Sequence, residues 1–235
     1  MTEFLRGMII CIAYLLPLAA IMLTVRRFTK INDELFRKIL HIIFLGAYIP
    51  LLAGFKTWWI CVVFVIGLII FLLPILLTVG KIPQFSAFVN ERKKGEFTAS
   101  MVLALGVMAG SIAIGWGLLG DKYIVLASVY CWGIGDAFAA LIGKRFGKHK
   151  ICWKFVDNKK SYEGSLAMLL TSALSVFVIL MIRGGINPIL CALIGLVSAL
   201  GSTFVELCSK NGIDTVTCPT VSMLIIVPMI TLLGG

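Results

Sequence analysis

Apolar residues gather along this chain in eight stretches, at 7–25, 39–55, 58–79, 99–118, 123–142, 164–182, 186–206 and 217–235. A helix needs roughly 20 mostly apolar residues to cross a bilayer, and these stretches have that length. Six of the eight contain no Asp, Glu, Lys or Arg; the exceptions are Asp136 in the fifth and Glu206 at the end of the seventh. The pattern predicts an all-α, polytopic transmembrane bundle of about eight helices, between seven and nine because 39–55 is short. It predicts one integral membrane domain over 1–235. The first stretch exceeds a secretory h-region of about 7–15 residues and has no small-residue cleavage site after it, so it is expected to remain as a helix.

Between the first two stretches the polar positions are also helical. Asn32 can cap a helix continuing as Asp33-Glu34-Leu35-Phe36-Arg37-Lys38, with Asp33–Arg37 and Glu34–Lys38 four residues apart. One helix is therefore expected to run from the interface into the membrane. His41, one turn beyond Arg37, is then either a hydrogen-bonded interfacial histidine or a polar group aimed at a headgroup or phosphate, with Arg37 and Lys38 beside it.

Composition strengthens the class. The chain is 60% hydrophobic and 14% charged, with a mean hydropathy of +1.05. A soluble domain of this length could not hide so much apolar surface. The seven cysteines form no CxxC pair and lie mostly in apolar stretches, where they read as small packing residues.

Charge adds a direction. The connections 26–38, 80–98, 143–163 and 207–216 carry 17 of the 21 basic residues. Short loops rich in Lys and Arg stay cytosolic, so these four connections are expected in the cytosol and both termini on the opposite side. Topology and attraction to anionic lipid account for 26–30 and part of 91–94. The segment 143–163 asks for more, because its seven basic residues lie between Asp136 and Glu163. The net charge of +10 does not indicate nucleic acid, since no aromatic-basic platform or binding motif accompanies it.

The chemistry gathers around Asp136. On a helix, Asp136, Ala139/Ala140, Gly143 and Gly147 fall on one small-residue face. Close helix packing explains the glycines but not the carboxylate, and an ionisable group inside a membrane helix costs about 2.5–3.5 kcal/mol. Carboxylates and lysines in one basin suit a metal–polyphosphate ligand, because Mg²⁺ takes one or two carboxylates plus phosphate oxygens and lysines neutralise the remaining charge. The candidate carboxylates are Asp136, Glu163, Glu206, Asp214 and Glu96. Gly164 and Ser165 open the sixth stretch, where backbone N–H groups could receive a phosphate. There is no GxxxxGK[ST], HExxH, GxSxG or protein-kinase set.

At these residues the sequence resembles the membrane lipid kinases, comprising dolichol kinases, phytol kinases and CTP-dependent diacylglycerol kinases, which share motifs with phosphatidate cytidylyltransferases. The family pattern D-x-x-A-x-x-x-G-x-x-x-G followed by K-K-[ST]-x-E-G is matched by Asp136, Ala139, Gly143, Gly147, Lys159, Lys160, Ser161, Glu163 and Gly164. Arg37-Lys38-Ile39-Leu40-His41, Lys94-Gly95-Glu96, and Glu206 with Gly212-Ile213-Asp214-Thr215-Val216 resemble further family segments. Thr215 stands where Asn is usual. The resemblance covers about 30–219 and implies CTP-dependent phosphorylation of a membrane lipid alcohol: a polyprenol, a phytol-like alcohol or diacylglycerol. It implies Mg²⁺ on Asp136 and Glu163, and CTP held by Gly143, Lys144, Arg145, Gly147, Lys148, Lys159, Lys160, Ser161 and Gly164. Glu206, Asp214 or His41 would take the hydroxyl proton, while Arg37, Lys38 and Glu96 would meet lipid or phosphate.

The alternatives are a phosphatidate cytidylyltransferase, an anion transporter with Asp136 as a proton relay, and a structural membrane subunit. No inverted repeat favours transport, and a structural subunit leaves Asp136 unexplained. The expected location is the cell membrane of a bacterium, or an endoplasmic-reticulum-type or plastid membrane of a eukaryote, with the site facing the cytosol. Lipid metabolism is the expected setting, and a homodimer is compatible with it.

Overall fold

The computed structural model describes residues 2–29, 31–81, 95–153, 156, 160–209 and 212–233. The described residues are helical apart from short connections and one isolated antiparallel bridge. Eight helices among them are long and apolar enough to cross a membrane, and the chain is an integral membrane protein. The helices are α1 (Glu3–Phe28), α2 (Asp33–Gly46), α3 (Tyr48–Gly54), α4 (Trp58–Val79), α5 (Glu96–Ser111), α6 (Lys122–Phe146), α7 (Tyr162–Arg183), α8 (Pro188–Cys208) and α9 (Asp214–Leu233). The second span is thus broken into α2 and α3. Pro50 cannot donate to the carbonyl of Gly46, four residues back, and the chain turns at Ala47 with its N–H on Phe44 O at 3.1 Å. The fourth span continues from α5 as π-helical turns over Ile112–Leu118.

The chain divides into two compact units, Met1–Gly117 and Leu118–Gly235. In the first, α1 packs closely on the end of α3: a methyl on Gly7 would collide with the Phe55 ring, and one on Gly54 would lie 3.2 Å from the Gly7 Cα. Glu3 caps the start of α4, accepting from Lys56 N–H at 2.8 Å and Thr57 N–H at 2.7 Å. Arg26 pairs with Asp33 at 2.7 Å and lies over the Phe36 ring, fixing the corner between α1 and α2.

The second unit is a ring of four helices. A methyl on Gly135 of α6 would collide with Ser172 of α7. One on Gly195 of α8 would lie 2.7 Å from Ala173 O of α7, and one on Gly201 would meet Ile225 of α9. At one end Asp121 caps α6 through Tyr123 N–H and pairs with Arg183 at 2.5 Å. Residues are sorted for an apolar solvent. Leu166, Leu170 and Leu174 form an exposed stripe along α7, while Ser172 and Val176 of the same helix are buried.

Candidate active site

The other end of the second unit brings together the end of α6, the start of α7, the end of α8 and the start of α9. Here the small-residue pattern has a packing role. A methyl on Gly143 would lie 3.2 Å from Ser161 Oγ, one on Gly147 2.6 Å from the same atom, and one on Gly164 2.9 Å from Ala139 O. Ala139, Gly143 and Gly147 therefore form the surface on which Ser161 and Gly164 rest. Ser161 also caps α7, with Gly164 N–H donating to its Oγ at 3.2 Å. Tyr162 N–H donates to His149 O at 3.1 Å. The Gly164 and Ser165 amides, expected as phosphate donors, are thus already bonded within the chain, Ser165 N–H donating to Ser161 O at 3.0 Å.

Glu163 is drawn outward. Its carboxylate accepts from Lys148 N–H and His149 N–H, each at 3.2 Å, and lies 2.7 Å from His149 Nδ1. The antiparallel bridge Lys150–Ser161 and the bond from Ile151 N–H to Lys160 O at 3.1 Å pin the same segment against the start of α7. The backbone carrying the basic side chains is thereby fixed, while Lys144, Arg145, Lys148 and Lys150 remain exposed.

Deeper in the bundle lies the acidic cluster. Asp136 interacts electrostatically with both Glu206 and Asp214. Glu206 pairs with Lys160 at 2.8 Å, and the same ammonium donates to the Glu206 carbonyl and to Ser209 O at 3.4 Å. Lys160 thus closes the C-terminus of α8, where carbonyls lack helical partners and the helix dipole favours a cation. Trp132, one turn before Asp136, donates its indole N–H to Asp214 Oδ2 at 3.3 Å.

The expected pair Asp136 and Glu163 is divided between two levels. Gly135 meets Met168 and Ser172 on α7, five and nine residues beyond Glu163, so Asp136 lies deeper along the helix axis than Glu163. Among the described residues no group of three His, Cys, Asp or Glu side chains could hold a metal by itself. The donor set is nevertheless all carboxylate, the chemistry of a hard cation completed by phosphate oxygens.

Lys159 lies outside the described residues. Arg37, Lys38, His41 and Glu96 belong to the first unit, where Lys38 is buried, Arg37 and His41 are half-buried, and Glu96 sits in the first turn of α5.

Over 213 residues the chain is 30% identical to the phytol kinase of Synechocystis sp., covering 88% of this chain and 86% of that enzyme. The chain belongs to the membrane lipid kinase family. A second relative, the dolichol kinase of Schizosaccharomyces pombe, is 38% identical over 93 residues, which is 39% of this chain and 17% of that enzyme. No family model matches the chain. No solved structure matches it at a significant level.

Two residues of this candidate site escaped the sequence reading. His149 carried a signal, as one of only two histidines in the chain and set in a basic loop. Trp132 carried a weaker one, its position one helical turn from Asp136.

Proposed function

We propose that this lipid kinase transfers the γ-phosphoryl group of CTP to the hydroxyl of an isoprenoid alcohol, with the nucleotide at the basic end of the second unit. The observation that carries the reading is the placement of Asp136, Glu206 and Asp214 within one electrostatic neighbourhood, directly below a pinned basic segment. The isoprenoid acceptor follows from the two relatives, a phytol kinase and a dolichol kinase.

In this proposal Lys144, Arg145, Lys148 and Lys150 neutralise the triphosphate, aided by Lys159. Glu163 positions the Lys148–His149 backbone from which these side chains project. Asp136 and Asp214 would hold Mg²⁺, which supplies charge neutralisation at the transferring phosphoryl group. Trp132 orients Asp214, and Lys160 keeps Glu206 beside it. The hydroxyl proton passes to a carboxylate of this cluster. Catalysis is then chiefly positioning and electrostatic stabilisation, as expected where the protein contributes no covalent step. The basic end faces the cytosol, where CTP is found, and both termini lie on the other side.

A nucleotide panel tests the proposal. Purified protein with an isoprenoid alcohol should give alkyl phosphate with CTP and Mg²⁺, and none when the metal is chelated. A preference for ATP over CTP would overturn the nucleotide assignment. Turnover unaffected by chelation would overturn the metal.

A further inference from the structure

The mechanism proposed above uses only the backbone of His149, and its ring is left over. That side chain is 78% exposed, yet one edge of the ring is held: Nδ1 lies 2.7 Å from Glu163 Oε1. The two nitrogens of an imidazole point in different directions, so this contact turns Nε2 away from Glu163. Among the described residues Nε2 has no hydrogen-bond partner.

The ring contact adds little to the anchoring of its segment. Glu163 already accepts from the Lys148 and His149 amides, and the Lys150–Ser161 bridge and the bond from Ile151 N–H to Lys160 O hold the chain beyond. A pair this open to water contributes little to stability, while holding an exposed side chain in one rotamer costs entropy. A ring fixed under those conditions is preorganised for a ligand that arrives from solution.

The neighbouring side chains define the ligand's chemistry. Lys144, Arg145, Lys148 and Lys150 are all exposed on the same stretch. They suit an anion rich in oxygen acceptors. A lysine neutralises such an anion, but its flexible stem sets no direction. An imidazolium with Nδ1–H on a carboxylate carries its second N–H on Nε2, in a direction that the ring plane fixes.

We propose that His149 is a phosphate-binding residue: its Nε2–H donates to the triphosphate of the bound nucleotide, and Glu163 acts through it as a positioning residue. The lysines and Arg145 supply charge, and His149 decides where one phosphate oxygen sits. This role rests on the nucleotide site proposed above.

Two amides separate the role from a structural one, because the side-chain nitrogen of Asn falls near the place of Nδ1 and that of Gln near the place of Nε2. Dissociation constants for CTP and for inorganic tripolyphosphate are measured on the full chain in detergent, without lipid alcohol. His149→Asn keeps a donor for Glu163 and loses the outward one, so it should weaken both ligands by about tenfold, as His149→Ala does. His149→Gln replaces the outward donor and should stay within about threefold of the unsubstituted protein. The reverse order of the two amides would make the ring a structural tie and overturn the proposal. Equal affinities in all three variants, whether lowered or unchanged, would overturn it as well. A loss for CTP with tripolyphosphate unaffected would move His149 to the nucleoside and remove the phosphate contact. Binding of neither ligand by the unsubstituted protein would overturn the nucleotide site and the contact together, whereas the other adverse results overturn the contact alone.

Discussion

Lys160 closes the end of α8 by bonding Glu206 twice over, its ammonium 2.8 Å from the carboxylate and also donating to that residue's own carbonyl. Both side chains are mostly covered, at 19% and 13% exposure. Lys160→Met should therefore leave Glu206 uncompensated beside Asp136 and Asp214 and open the C-terminus of α8, at about 1–3 kcal/mol. Lys160→Met/Glu206→Gln should lose less than the sum of its two single substitutions. Thermal unfolding in detergent of the four proteins in this cycle checks it, and strict additivity would deny the coupling.

Asp136→Asn and Asp214→Asn should each reduce phosphate transfer by at least about 10²-fold, since a hard cation loses a carboxylate. Elution as a folded, monodisperse protein is expected for both. Wild-type turnover in Asp136→Asn would remove that residue from the mechanism.

Glu163 discriminates between positioning and metal binding. Glu163→Gln should raise the KM for CTP by about three- to tenfold through a loosened Lys148–His149 backbone, with the Mg²⁺ requirement unchanged. A large rise in the Mg²⁺ concentration needed for half-maximal rate would instead assign the metal to this carboxylate.

The glycines of the α6–α7 crossing differ from others in the chain. Gly164→Ala sets a methyl against the Ala139 carbonyl at 2.9 Å and should destabilise by about 1–3 kcal/mol. Gly106→Ala and Gly110→Ala in α5 meet nothing within 4 Å and should be neutral or stabilising by up to about 1 kcal/mol. Equal midpoints for all three would refute the packing account.

Orientation is open to direct labelling through Cys152, which is exposed on the segment between α6 and α7. A membrane-impermeant thiol reagent should modify it in inside-out vesicles and not in right-side-out ones. The reverse pattern would invert the topology.

The sequence carried the helices because a bilayer imposes length and polarity on each one separately. Every expected span has its counterpart, and even the break at Ala47 had its signal in Pro50. The site was legible as a set of residue types but not as a set of neighbours. Asp136 and Glu163 stand in one sequence pattern, yet Glu163 bonds the Lys148–His149 turn while Asp136 joins Glu206 and Asp214. Those two arrive through the packing of α8 and α9, which no spacing within α6 or α7 encodes. Lys160 illustrates the same limit. A lysine in a phosphate-binding pattern and a lysine closing a helix are identical in sequence, and only the position of the α8 carbonyls distinguishes them.

The central claim is tested most directly by following the label from CTP into an isoprenoid alcohol in proteoliposomes, with Mg²⁺ present. The account predicts transfer to the lipid from CTP labelled at the γ position and none from CTP labelled at the α position. Label entering lipid from the α position, or from neither position with phytol and dolichol both supplied, would contradict it.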